Sequence, residues 1–300
     1  MTAILLPLIL CCLLSALATW ALVAILNRTR SFVAVKPELL VKDERKGRTP
    51  FFGGLAFLFA ITLTCAFFCD WSEPETWIAI CSMWIFGLSG LADDLLKLRT
   101  DNGDGFTVRQ KFASQVISAL IVICLIQAFA HRYDSYLYMI PGFVWLVYYV
   151  NAYNITDGVD ALAACSVIPV LVLLALTGQQ TMAVIAAGCM AGFLIFNSSP
   201  ARIFMGDVGS HAVAGLIAAM AVLGKTEIPV FCSSLLFFIE FMSSLIQILS
   251  IRLLGKKVFA IAPLHHLMEY KGFGPWKIVI IFSAVNILAT VAVCLLWGIV

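Results

Sequence analysis

Residues 85–99, IFGLSGLADDLLKLR, set two adjacent carboxylates, Asp93 and Asp94, at the end of an apolar run, with Lys97 and Arg99 just beyond. Asp93 and Asp94 precede Lys97 by four and three residues, so on a continuing helix both acids share a face with the ammonium group. NAYNITDGVD at 151–160 repeats an amide or an acid every third residue, at Asn151, Asn154, Asp157 and Asp160, a stripe too polar for lipid. FNSSPARIFMGD at 196–207 carries Asn197, Phe204 and Asp207, and APLHHLMEYKG at 262–272 carries His265 and His266. Carboxylates, carboxamides, lysines and histidines without thiolates are the groups that handle hard cations and phosphates. Mg²⁺ in particular takes one or two protein carboxylates and completes its shell with substrate phosphate and water. Zinc at His265 and His266 is disfavoured, because neighbouring helical residues point about 100° apart and no HExxH partner is present.

The elements that must position these residues are membrane helices. Of the 300 residues, 62% are hydrophobic and 12% charged, with a mean hydropathy of +1.01, where about 25% charged is ordinary for a soluble domain. The net charge of +2 comes from dispersed lysines and arginines, which argues against a nucleic-acid partner. Nine of the ten cysteines, among them Cys11, Cys65, Cys124 and Cys189, fall inside apolar runs and form no CxxC pair, so they read as small hydrophobes.

Ten apolar windows approach the length needed to cross roughly 30 Å of hydrocarbon, near 3–26, 51–69, 77–92, 112–130, 135–150, 159–177, 181–196, 208–224, 228–254 and 276–299. The first has no basic n-region and runs past twenty apolar residues before Arg28, which predicts a retained helix and not a cleaved signal. With both termini outside, seventeen of nineteen basic residues fall on the inner side, leaving only Arg132 and Lys225 outside, while the outer loop DWSEPET at 70–76 is acidic. No linker or repeat interrupts the chain, so residues 1–300 form one all-α polytopic membrane domain. On that topology all four polar clusters lie at cytoplasmic helix ends. Gly158, Pro200 and Gly206 let the backbone leave regular helix there, which a membrane protein tolerates where the irregular part faces protein or water. A cleft open to the cytoplasm follows.

In chain order, KGRTPFFGG at 46–54, GLADDLLKLR at 90–99, RQK at 109–111, NAYNITDGVDALA at 151–163, FNSSPARIFMGDVGS at 196–210 and GKKVFAIAPLHHLMEYKG at 255–272 match one family. The chain resembles the polyprenyl-phosphate N-acetylhexosamine-1-phosphate transferases, and its last motif resembles the muramoyl-pentapeptide branch. It departs from that branch at Phe51 and Phe52 (usually Thr-Met), Ala161 (usually Gly), Val208 (usually Thr) and Leu267 (usually a third His).

The resemblance implies Mg²⁺-dependent transfer of a phospho-amino sugar from a UDP donor, UDP-N-acetylmuramoyl-pentapeptide or a related UDP-N-acetylhexosamine, to undecaprenyl phosphate. The setting would be the cytoplasmic (inner) membrane of a bacterium, with a homodimer left open. It implies that Asp207 holds Mg²⁺ and the donor pyrophosphate, with Asp93 and Asp94 beside it as further candidates for the metal shell. Lys46, Lys97 and Lys111 would neutralise phosphate. Asn151, Asn154 and Asp157 would line the nucleotide pocket, Asp160 and Asn197 would approach the nucleotide, and Phe204 would stack on the base. His265 and His266 would bind the diphosphate or sugar, and Gln247, on one face with Glu240, would face away from lipid toward substrate. Two rivals remain on the residues alone. An intramembrane aspartyl protease needs facing acids within the bilayer and an upstream glycine that FMGD lacks. A transporter needs midplane charges, for which only Glu240 qualifies.

Overall fold

The computed structural model describes residues 2–29, 49–100 and 102–299, and all regular structure in them is helical. Lys46 and most of the inner segment 27–50 lie outside the described residues. In chain order the helices are α1 (Thr2–Thr29), α2 (Gly54–Phe68), α3 (Pro74–Arg99), α4 (Val108–Ala130), α5 (Met139–Thr156), α6 (Leu162–Ser166) and α7 (Ile168–Leu176). They continue with α8 (Gln180–Asn197), α9 (Gly206–Leu223), α10 (Glu227–Ser233), α11 (Leu235–Leu254), α12 (Leu264–Tyr270) and α13 (Pro275–Trp297). Seven of them, α1, α3, α4, α8, α9, α11 and α13, are long and apolar enough to cross a membrane. The protein is therefore a polytopic membrane protein.

Three expected spans differ from continuous crossings. The window 51–69 yields only the 15-residue α2, because Phe51 and Phe52 lie outside the helix and the chain turns at Gly53 beside residues 204–205: Gly53 and Gly54 N–H groups donate to the carbonyls of Phe204 (2.9 Å) and Met205 (2.8 Å). The window 159–177 is two helices, α6 and α7, parted at Val167 with Pro169 in the first turn of α7, where a missing N–H costs no helical bond. The window 228–254 is likewise divided at Ser234 into α10 and α11.

Both breaks leave backbone groups that lipid cannot satisfy. Asn286, buried on α13, serves them together: its Oδ1 accepts from the Leu236 N–H (3.0 Å) and its Nδ2 donates to the Ser166 carbonyl (2.9 Å). Ser233 and Thr290 hydroxyls meet at 2.5 Å beside it.

The bundle is built around α9, in which every residue from Asp207 to Val222 is buried. It lies mainly against α3, then against α5 and α2. Small residues set the spacing, as is usual where packing and not hydrophobicity joins membrane helices. A Cβ on Gly54 would stand 2.1 Å from the Gly209 nitrogen, and one on Gly90 would stand 2.2 Å from the Asp207 carbonyl oxygen. These contacts bring α2 and α3 against the first turn of α9, where Asp207 sits.

Candidate active site

Four helices deliver the polar groups. The last turns of α3 supply Asp93, Asp94 and Lys97, and the first turn of α4 supplies Lys111. That turn is fixed by a capping box: the Gln110 N–H donates to Thr107 Oγ1 (3.3 Å) and the Thr107 N–H to Gln110 Oε1 (2.9 Å). α5 supplies Asn154, and the N-terminus of α9 supplies Asp207, with the helix dipole favouring a carboxylate there.

These groups form one network. Lys97 Nζ reaches Asp94 Oδ1 at 2.9 Å and Asp93 Oδ2 at 3.8 Å, and is also bonded to Asp207 Oδ2. Lys111 Nζ reaches Asp207 Oδ1 at 2.8 Å and Asp93 Oδ2 at 3.4 Å. Asn154 Nδ2 donates to Asp207 Oδ1 (2.6 Å) and to Ser210 Oγ (2.8 Å). Asp93 Oδ1 also accepts from the Phe106 N–H. Asp94 is fully buried, and its second oxygen accepts from the Val208 N–H at 2.9 Å, so it anchors the first turn of α9 to α3. Three carboxylates against two ammonium groups leave one net negative charge. Asp207 is buried, because α3 and α5 close over the first turn of α9.

The stripe expected over 151–160 does not run its full length, since α5 ends at Thr156 and the chain turns at Asp157 and Gly158. The four residues go to separate tasks. Asn151 Nδ2 donates to Gln115 Oε1 (2.8 Å), Asn154 meets Asp207, and Asp160 Oδ2 accepts from the Ala201 N–H (3.1 Å). Asp157 stays half-buried at the turn, and burial, with Asp207, Asp94 and Asp160 adding, pushes its carboxyl up to about 8. Asn197 holds the same region together: its Oδ1 accepts from the Ala161 N–H (3.0 Å) and its Nδ2 donates to the Ile203 carbonyl (2.9 Å). Phe204 lies half-buried on the segment that bonds Pro50 and Gly53.

His265 is brought beside this turn and is itself buried. Its Nδ1 meets Glu240 Oε2 at 2.8 Å, its N–H donates to Glu240 Oε1 at 3.1 Å, and its Nε2 has no hydrogen-bond partner among the described residues. That nitrogen faces Gly158 so closely that a Cβ there would lie 2.2 Å from it. His266, half-exposed, pairs with Glu269 at 2.7 Å. Gln247 turns away from lipid, but its amide is spent on the α11–α12 loop, accepting from the Val258 and Phe259 N–H groups (3.0 and 2.9 Å) and donating to the Phe259 carbonyl (2.9 Å).

Comparison with known proteins gives the family. The sequence profile of glycosyl transferase family 4 matches residues 76–225, from α3 to the end of α9. The phospho-N-acetylmuramoyl-pentapeptide-transferase of Lactiplantibacillus plantarum is 34% identical over 87% of this chain and 90% of its own. That of Levilactobacillus brevis is 32% identical over 97% and 98%, and that of Bacillus pumilus 32% identical over 93% of each. The chain belongs to the phospho-N-acetylmuramoyl-pentapeptide transferase family. The profile region contains Asp93, Asp94, Lys97, Lys111, Asn154 and Asp207, the six residues the fold joins.

Sequence reasoning passed over Ser89, Gln115, Ser210 and His211, which bond to or lie just beneath this network. The signal was present: Gln115 and His211 interrupt apolar windows, where a polar side chain is costly unless it faces protein.

Proposed function

We propose that this transferase moves phospho-N-acetylmuramoyl-pentapeptide from its UDP donor to undecaprenyl phosphate, releasing UMP and leaving a lipid-linked pyrophosphate for peptidoglycan synthesis. The observation that carries the reading is the junction of Lys97 and Lys111 with Asp93, Asp94, Asn154 and Asp207, in a chain of this family. An acceptor phosphate oxygen attacks the phosphorus attached to the sugar. The bond from that phosphorus to the bridging oxygen breaks, and the oxygen departs with UMP.

Two anions must approach in a partly desolvated cleft, so the dominant obstacle is charge repulsion, and positioning with electrostatic relief is the main catalytic device. Lys97 and Lys111 supply fixed positive charge, and Asn154 orients Asp207. Asp207 and Asp93 offer carboxylate oxygens of the kind Mg²⁺ takes, one or two from protein with phosphate and water completing the shell. Asp207, with Asp93 beside it, would hold Mg²⁺, which when bound lowers the repulsion between acceptor and donor phosphates, while Asp94, engaged by Lys97 and the Val208 N–H, supports the turn that carries Asp207. Asp93, bonded to the Phe106 N–H and facing both lysines, orients the acceptor; a phosphate monoester with its second pKa near ~6 needs little deprotonation at neutral pH. Asp157, largely protonated, adds no repulsion beside a diphosphate.

The reading places ten crossings, both termini outside and the cleft at the cytoplasmic face of the inner membrane, as the basic-residue bias supports. The alternative donor is UDP-N-acetylglucosamine or another UDP-N-acetylhexosamine, because Leu267, Phe51 and Phe52 depart from the muramoyl-pentapeptide branch at positions that shape the pocket.

The test is UMP release by the purified protein with undecaprenyl phosphate and each donor in turn. Release from UDP-N-acetylmuramoyl-pentapeptide alone, lost with chelator, restored by Mg²⁺ and absent in folded Asp207→Asn, is expected. Turnover of UDP-N-acetylglucosamine in its place would transfer the protein to the sibling reaction. Full activity of Asp207→Asn would mean that the cation site is wrong.

A further inference from the structure

Beneath the candidate site lies a second polar tier, made of Asn151, which the sequence assigned to the nucleotide pocket, and of Ser89, Gln115 and His211, which none of the roles above uses. Each helix that brings a residue to the site carries another polar residue one turn deeper: Ser89 below Asp93 on α3, Gln115 below Lys111 on α4, Asn151 below Asn154 on α5, and His211 below Asp207 on α9. The deeper four are joined. His211 Nδ1 lies 3.4 Å from Ser89 Oγ, His211 Nε2 lies 3.3 Å from Gln115 Nε2, and Gln115 Oε1 accepts from Asn151 Nδ2 at 2.8 Å. Ser89 Oγ is also 3.4 Å from Ser114 Oγ. Gln115 and His211 are fully buried, in a part of the bundle where an unpaired polar group is expensive.

The chain of bonds fixes the imidazole's proton. Because Gln115 accepts from Asn151 through Oε1, its Nε2 is the donor toward His211, so His211 Nε2 accepts. The hydrogen therefore resides on Nδ1, the nitrogen beside Ser89 Oγ, and the ring is also bonded to the Phe86 backbone of α3.

The link matters because α4 lies mostly on α3 and α5 and meets α9 only narrowly. Among the described residues two polar contacts join α4 to α9: Lys111 to Asp207 at the site, and Gln115 to His211 one turn below. The ion pair cannot define its own geometry once substrate phosphate competes for the Lys111 ammonium group. The deeper contact is neutral and sealed from substrate.

We propose that His211 is a positioning residue for the transfer reaction, its Nδ1–H imidazole tying Gln115 of α4 to α9 and so setting where Lys111 stands against Asp207. The role rests on the transferase reading above. His211→Leu in the full-length protein in detergent, assayed with undecaprenyl phosphate and UDP-N-acetylmuramoyl-pentapeptide, is expected to lower kcat by roughly tenfold or more, as small misplacements of a reacting group do. The donor KM should stay close to that of the unaltered protein, the pattern of an interaction felt in the transition state. His211→Gln, which keeps a donor and an acceptor on one side chain, should restore most of the rate. Lys111→Ala should cost much less in the His211→Leu background than alone, since the two act through one group. Gln115→Met breaks the same bond from the other side and decides the matter if His211→Leu is not recovered folded. Unchanged kcat in both variants, no rescue by His211→Gln, or additive losses with Lys111→Ala would overturn the role. An unaltered protein that fails to turn over this donor would instead mark failure of the transferase reading.

Discussion

Asp157 shows what a single carboxyl gains from its surroundings. Burial, reinforced by Asp207, Asp94 and Asp160 and opposed by Lys97, lifts it to about 8, whereas in an unfolded chain it ionises near ~4. The folded protein therefore binds the extra proton between those values. The resulting stability is present in full below about pH 4 and is lost as pH rises through about 8. Thermal midpoints measured from acid to mildly alkaline buffer should fall across this interval, and Asp157→Asn, which mimics the protonated form, should flatten the fall; an identical slope in the variant would exclude the assignment. Asp157 was legible in the sequence as a polar residue in an apolar chain, and so were Asp93, Asp94, Lys97, Asn154 and Asp207. His211 and Asn286 stood out in the same way, each a single polar residue in a long apolar window, but their roles were not legible, because those depend on partners far along the chain: Ser166, bonded to Asn286, is 120 residues away.

At the scale of elements, hydropathy located the helices, since membrane length and apolar composition constrain each one separately. It did not locate the breaks inside 159–177 and 228–254, because Val167 and Ser234 look no different from other residues of those windows. What divides them is the fit of α6, α7, α10 and α11 around Asn286, a property of the assembled bundle. The close approach of α2 to α9 is likewise tertiary, although its glycines stand in the motif KGRTPFFGG. Gly54→Ala would set a methyl 2.1 Å from the Gly209 nitrogen, where backbone and not a flexible side chain must yield. A stability loss of about 1–3 kcal/mol is expected from such overpacking, with activity reduced because the displaced turn carries Asp207. A melting temperature and rate equal to those of the unaltered protein would show that the helices have room to separate.

For the whole molecule, the prediction concerns sidedness. On the proposed topology, which sets the acidic loop 70–76 outside and the basic segments inside, Pro74→Cys and Asn102→Cys, each placed in a cysteine-free background, are expected to react with impermeant reagents from opposite sides of the membrane. Labelling from the same side would separate the polar clusters that the cleft needs together. The amide of Asn286 also orders assembly in time. A chain leaves the ribosome N-terminus first, so the Ser166 carbonyl and the Leu236 N–H exist before the residue that binds them both. Until α13 enters the bilayer, neither broken helix has its partner, and lipid offers none. In biosynthesis α13 acts as the latch that joins two broken helical segments made long before it.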